Sequence, residues 1–170
     1  MSVDWDRVDE FVEGNQRLIA ALMQVECGGD VFASRFEPHY QYLWDVVSDK
    51  PKRCTGVYRP NDFFGISGVT SMHTEFNQQR TSWGPLQVMG AVAREYGYKG
   101  PFAALCGELG IKYGVWHLIA LKRRLLAKGF EDDDDLIAAY NAGWARRDDS
   151  GRYLNQGYVD KVNAALLAVA

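Results

Sequence analysis

Cysteine is scarce in this 170-residue chain: Cys27, Cys54 and Cys106 are odd in number and widely spaced. That pattern suggests neither a disulfide framework nor zinc-finger spacing, and it fits synthesis in a reducing compartment. Histidine is equally sparse, since His39, His73 and His117 stand 34 and 44 residues apart and none is paired at helical spacing with another ligand. A metal site is therefore not expected. Charge of one sign is not in large excess, the net charge being -3 with a pI near 5.6. A phosphate backbone as ligand has no global electrostatic support, although Lys122, Arg123 and Arg124 form a local basic patch. No run of 18 apolar residues occurs, so no membrane insertion is expected. The start, MSVDWDRVDEF, is acidic and amphipathic and lacks the basic opening and apolar core of a secretory leader. Synthesis in the cytosol is the expectation, with some other agent carrying or releasing the protein to any external target.

What is present suits one globular domain spanning residues 1–170, because 47% hydrophobic and 13% aromatic residues suffice to bury a core. Apolar residues Trp5, Val8, Phe11 and Val12 recur at helical spacing, Gly14-Asn15 supplies a stop and a fresh cap, and Leu18, Ile19, Leu22 and Met23 stripe a second helix to about Val25. A short helix is expected in SRFEPHYQYLWDVV, ended by Lys50-Pro51. Residues 50–70 read as an irregular or partly extended excursion, a small β element among helices. SMHTEFNQQR reads as a polar helix capped by Ser71. Pro85 is set near the start of a helix bearing Leu86, Met89, Val92, Ala93 and Tyr96. The longest helix is expected from Glu108 to Lys128, apolar on several sides. Asp132 to Asp135 cap LIAAYNAG and lack the ligand spacing of a calcium loop. YVDKVNAALLAVA forms a last helix. The fold class is mostly α.

One residue stands out against this pattern. Residues 20–29, AALMQVECGG, end an apolar helix in Glu26. Partial burial at such a position favours the protonated carboxyl, which suits acid chemistry such as glycosidic cleavage. A rival nucleophile, Cys27 with His39, His73 or His117 as base, has only a lone thiol behind it, and most such thiols are small core residues.

The ordered blocks ALMQVECGG, SWGPLQVM and AAYNAG resemble the soluble lytic transglycosylase family of the lysozyme superfamily. Its pattern is Glu-Ser after an apolar helix, then Gly-Leu-Met-Gln, then Ala-Tyr-Asn-Ala-Gly. The resemblance spans residues 20–143 and implies a lysozyme-like domain acting on peptidoglycan glycan strands without a cofactor. By that resemblance Glu26 is the catalytic acid and base. Gln87 contacts substrate near the cleaved bond, with Ser82 and Gly84 leading to it. Tyr140 orients the carboxyl, and Asn141, Ala142 and Gly143 form a sugar-contacting turn. Two departures stand out: Cys27 replaces the usual serine beside the acid, and Pro85-Leu86 replace Leu and Met.

The implied reaction is non-hydrolytic, giving a 1,6-anhydro product from the MurNAc-GlcNAc bond. A hydrolytic muramidase would need a second carboxylate, for which Glu37, Asp30, Asp45 and Glu75 are candidates; Glu37, beside aromatics in SRFEPHY, is also a candidate groove residue. A third alternative is a wall-binding virion protein without turnover. Tyr40, Tyr58, Phe64, Trp83 and Trp144 are candidate sugar-stacking aromatics. The context expected is a bacteriophage lysis enzyme or a virion component, with other virion proteins as partners.

Overall fold

The computed structural model describes residues 3–46, 52–54 and 59–169. Tyr58, Val47 and Lys50-Pro51 lie outside the described residues. The chain is mostly helical with a small antiparallel sheet, as its periodicity predicts. Its residues gather into two compact units, 1–5 with 29–114, and 6–28 with 115–170.

The second unit is helical. Helix α1 (Trp5–Gly14) buries Val8, and α2 (Gln16–Cys27) buries Ile19, Ala21 and Leu22. Asn15 works differently from the expected cap: its Nδ2 donates to the carbonyl of Phe11 at 2.8 Å, closing α1 rather than opening α2. Gly28, at φ 61°, ends α2 in the left-handed conformation and donates its N–H to Gln24 O. Helix α6 (Asp133–Ala142) starts as the acidic run predicts, with Asp132 accepting from the N–H of Asp134 at 3.0 Å. Helix α7 (Gln156–Ala168) buries Val159 and Val162 and packs on both α2 and α6. Asp135 is buried, and it accepts from Tyr153 Oη at 2.7 Å and from Arg147 Nη2 at 3.0 Å, so its charge is compensated.

Helix α5 (Glu108–Leu126) is the longest element, and the boundary between the units falls within it. It buries Val115, Trp116, Leu118, Ile119, Leu121 and Leu125, the multi-sided burial its sequence predicts.

The first unit holds the sheet. Strands β1 (Ser34–Phe36), β4 (Thr81–Trp83) and β5 (Val88–Met89) pair antiparallel in the order β1-β4-β5, while β2 (Trp44–Asp45) and β3 (Lys52–Arg53) form a separate hairpin. Two expectations are corrected here. Over the described residues 34–46, the helix predicted for SRFEPHYQYLWDVV is instead strand and turn: Arg35 pairs with Ser82, Glu37 donates its N–H to Arg80 O, and the Gln79 amide takes both backbone groups of Trp44 at 2.7 Å each. Partners distant in sequence satisfy this backbone, so no local helix is needed. The helix predicted near Pro85 starts only at Gly90 (α4, Gly90–Glu95), because residues 84–87 form the turn joining β4 to β5.

Helix α3 (Met72–Gln79) carries the predicted Ser71 cap, whose Oγ accepts from the N–H of Thr74. Its polar residues are not all solvated, however. Glu75 is 1% exposed and forms a two-point ion pair with Arg94, itself 1% exposed, at 2.8 and 3.1 Å. Thr70 Oγ1 and Gln79 Nε2 complete the Glu75 carboxylate, and Arg94 Nη1 donates to the carbonyls of Tyr98 and Gly100. The guanidinium lies 3.9 Å from the Phe102 ring centre. Every charge in this buried cluster is met by hydrogen bonds, the condition under which burial is tolerated. Glu75 is thereby corrected as a candidate catalytic carboxylate: its oxygens are consumed by the core.

Candidate functional site

Glu26 sits in the last turn of α2, half-buried, and the two left-handed glycines after it turn the chain away. Because α2 packs on α7, Tyr158 in the first turns of α7 reaches it: Tyr158 Oη donates to Glu26 Oε1 at 2.5 Å. Burial pushes the Tyr158 phenol far above its ordinary range, and the neighbouring Glu26 charge pushes it further. Tyr158 thus stays protonated and remains a donor whether Glu26 carries a proton or a charge. A charge-assisted bond of this kind fixes the carboxyl more firmly than a neutral pair would.

Tyr140 lies on α6, and its ring is 5.9 Å from that of His117 on α5. Tyr140 is close enough to Tyr158 to oppose ionisation of the latter. Burial, aided by the charge of Arg124, lowers His117 from 6.5 to about 4, so the imidazole is neutral near neutral pH. Tyr158 thus touches Glu26 directly, Tyr140 lies near Tyr158, and His117 lies against Tyr140. Asn141, exposed near the end of α6, accepts at Oδ1 from Asn155 Nδ2 at 3.1 Å, and Asn155 also donates to Ala138 O. Gly143, at φ 75°, closes α6, so the AAYNAG block is a helix end.

Cys27 does not face the carboxyl in the way its replacement of serine suggests. Its thiol donates back to Met23 O at 3.1 Å, the bond a serine at this position of a helix also makes. The part of holding Glu26 falls to Tyr158, which the sequence reading did not single out.

The other block forms its own arrangement in the first unit. Gln87, at φ 45°, donates Nε2 to Ala33 O at 3.1 Å and Gly84 O at 2.9 Å, and its Oε1 accepts from Ser82 Oγ at 2.7 Å. Both amide N–H groups are therefore committed, and what remains for a ligand is acceptor capacity at Oε1. Ser82 is 4% exposed, so it supports Gln87 from beneath. Gly84, at φ 68°, admits no side chain, since a Cβ there would stand 2.2 Å from Leu105 O. The block is a rigid turn stapled to the chain before β1.

Glu37 is ion-paired with Arg35 at 2.5 Å. Asp30 accepts from the N–H of Phe32 in a local turn. Among the aromatics, Trp83 is stacked on Phe102 and donates to Gln78 O, and Trp144 lies against Phe130 and Arg124. Tyr40 packs on the Leu43, Phe63 and Phe76 cluster, where burial pushes its phenol up to about 12. Phe64, 70% exposed, is the stacking candidate left open to solvent among those described.

No protein-family model, curated protein or solved structure matches the chain.

Proposed function

We propose that the chain is a peptidoglycan lytic transglycosylase in which Glu26 serves first as acid and then as base. The observation that carries this reading is the Tyr158 to Glu26 hydrogen bond, which holds a half-buried carboxyl at the end of an apolar helix. The order of the three sequence blocks supports it independently.

In this mechanism protonated Glu26 gives its proton to the oxygen linking MurNAc to GlcNAc as that bond breaks and positive charge builds at C1. The resulting carboxylate takes the proton of the MurNAc C6 hydroxyl while O6 bonds to C1. The product is the 1,6-anhydro sugar, no water is consumed, and Glu26 is again protonated. One carboxyl that changes charge twice needs a partner able to serve both states. Tyr158, a donor throughout, meets that need.

The hydrolytic alternative loses Glu75, whose carboxylate is held by Arg94. The biological setting proposed is a bacteriophage lysis enzyme or virion component whose partner is the wall glycan strand. The test is Glu26→Gln, a near-isosteric change: lysis of purified sacculi should disappear while the melting temperature stays close to wild type. Near-normal lysis by that variant would sink the assignment.

A further inference from the structure

Tyr158 is the third residue of α7, and the first turn that carries it is weakly built from within. No acidic residue stands in that turn to meet the helix dipole, and its second residue is Gly157, exposed and the poorest helix former but proline. Asn155 occupies the N-cap position, where an asparagine side chain ordinarily accepts from an amide of the first turn. Its side chain makes no such bond in this chain. Helix ends of this composition fray unless something outside the helix holds them.

Asn155 supplies that hold. Both hydrogens of its Nδ2 are spent on α6, one on Ala138 O at 3.0 Å and the other on Asn141 Oδ1 at 3.1 Å. Its backbone serves α7, the carbonyl accepting from the N–H of Tyr158 at 2.9 Å and of Val159 at 3.4 Å. One residue therefore joins the C-terminal half of α6 to the backbone of Tyr158. The neighbouring Gln156 bonds only to residues close in sequence: Oε1 accepts from the N–H of Tyr153 at 3.1 Å, and Nε2 donates to Asp160 at 2.9 Å. Tyr153 is a second tie to α6, through Asp135, but it lies two positions before Asn155.

The demand on Tyr158 is strict. Its 2.5 Å bond to Glu26 starts at the far end of a long side chain, so a small rotation of the first turn is magnified at Oη. Hydrogen bonds weaken steeply as length and angle depart from the optimum. We propose that Asn155 is a positioning residue: by clasping α6 to the start of α7 it sets the height and angle at which Tyr158 meets Glu26. Asn155 acts through Tyr158 and touches no reacting atom. Its effect on turnover rests on the transglycosylase reading, whereas the clasp itself does not.

Two measurements test this. The Tyr158 hydroxyl proton, held in a short bond to a carboxyl, should give a downfield proton NMR resonance, assigned by its loss in Tyr158→Phe. Asn155→Ala should speed exchange of that proton with water by about tenfold or more, with far-UV circular dichroism unchanged. Asn155→Asp, which keeps the shape and the capping ability but has no Nδ2 donor, should do the same. In sacculus lysis, Asn155→Ala should lower kcat by about tenfold and leave KM within about twofold. Added to Tyr158→Phe, the same substitution should cost less than about threefold, because both changes act on one bond. Wild-type exchange of the hydroxyl proton in both Asn155 variants, or a full further tenfold loss on top of Tyr158→Phe, overturns the proposal. The resonance needs no turnover: a Glu26→Gln variant that still lyses sacculi sinks the catalytic reading and leaves the clasp to be decided by proton exchange.

Discussion

Replacing Tyr158 by Phe removes one oxygen and leaves the ring that fills the space between α2 and α7. The lost bond is 2.5 Å long, ends on a carboxyl and is half-buried, which puts it in the class of hydrogen bonds to charged groups worth about 1.5–3 kcal/mol. If Tyr158 holds Glu26 in its working orientation, that energy is lost from the transition state. At about 1.4 kcal/mol per factor of ten, kcat/KM should fall by about 10- to 150-fold. The assay is the initial rate of turbidity loss of purified sacculi at matched protein concentration, beside a thermal melt of each protein. The two readouts must separate: the rate falls while the melt moves by a few degrees at most. A Tyr158→Phe variant that clears sacculi at the wild-type rate would refute the assignment of Tyr158 as the group that positions Glu26.

Three further outcomes follow from the packing. His117 is lowered from 6.5 to about 4 in the fold by burial, so between those values the unfolded chain binds more protons, and stability falls as pH drops from about 6.5 toward 4. That loss is on the order of 3 kcal/mol at the low end, and urea midpoints of wild type and His117→Phe measured across pH 4–7 should show a shallower slope in the variant. Glu75→Gln leaves the buried Arg94 without its counter-charge and should cost about 3–5 kcal/mol in a urea titration; a loss under about 1 kcal/mol would contradict the role given to that pair. Gly84→Ala must adopt φ 68° and place a Cβ against Leu105 O, so a melting point equal to wild type would show that the turn can relax. The strain alone is about 1–2 kcal/mol before the clash is counted.

Where periodicity is long and caps are local, the sequence announces the helices: α5 shows apolar residues on several sides, and Ser71 and Asp132 act as the caps their side chains suggest. The short strands were not legible, because their backbone partners come from afar. Trp44 is bonded to the side chain of Gln79 and β1 to β4, so nothing within SRFEPHYQYLWDVV announces an extended path. Pro85 reads equally well as a helix start or a turn residue, and only the positive φ of Gly84 and Gln87 decides for the turn. Glu75 looks like any surface carboxylate of a polar helix until Arg94, 19 residues on, is seen to cover it. Glu26 was visible as a misplaced acid, whereas Tyr158, 132 residues away, has no local signal beyond its place in a final amphipathic helix. Cys27 raised the question of what holds the carboxyl, and the α2 to α7 packing brings Tyr158 to it.

The measurement that bears most directly on the proposed chemistry is mass spectrometry of the muropeptides released from purified sacculi by the wild-type chain. A single carboxyl acting twice predicts 1,6-anhydroMurNAc ends, one water lighter than hydrolysis products. Release of reducing-end MurNAc alone would contradict the non-hydrolytic mechanism and require a second carboxylate other than Glu75.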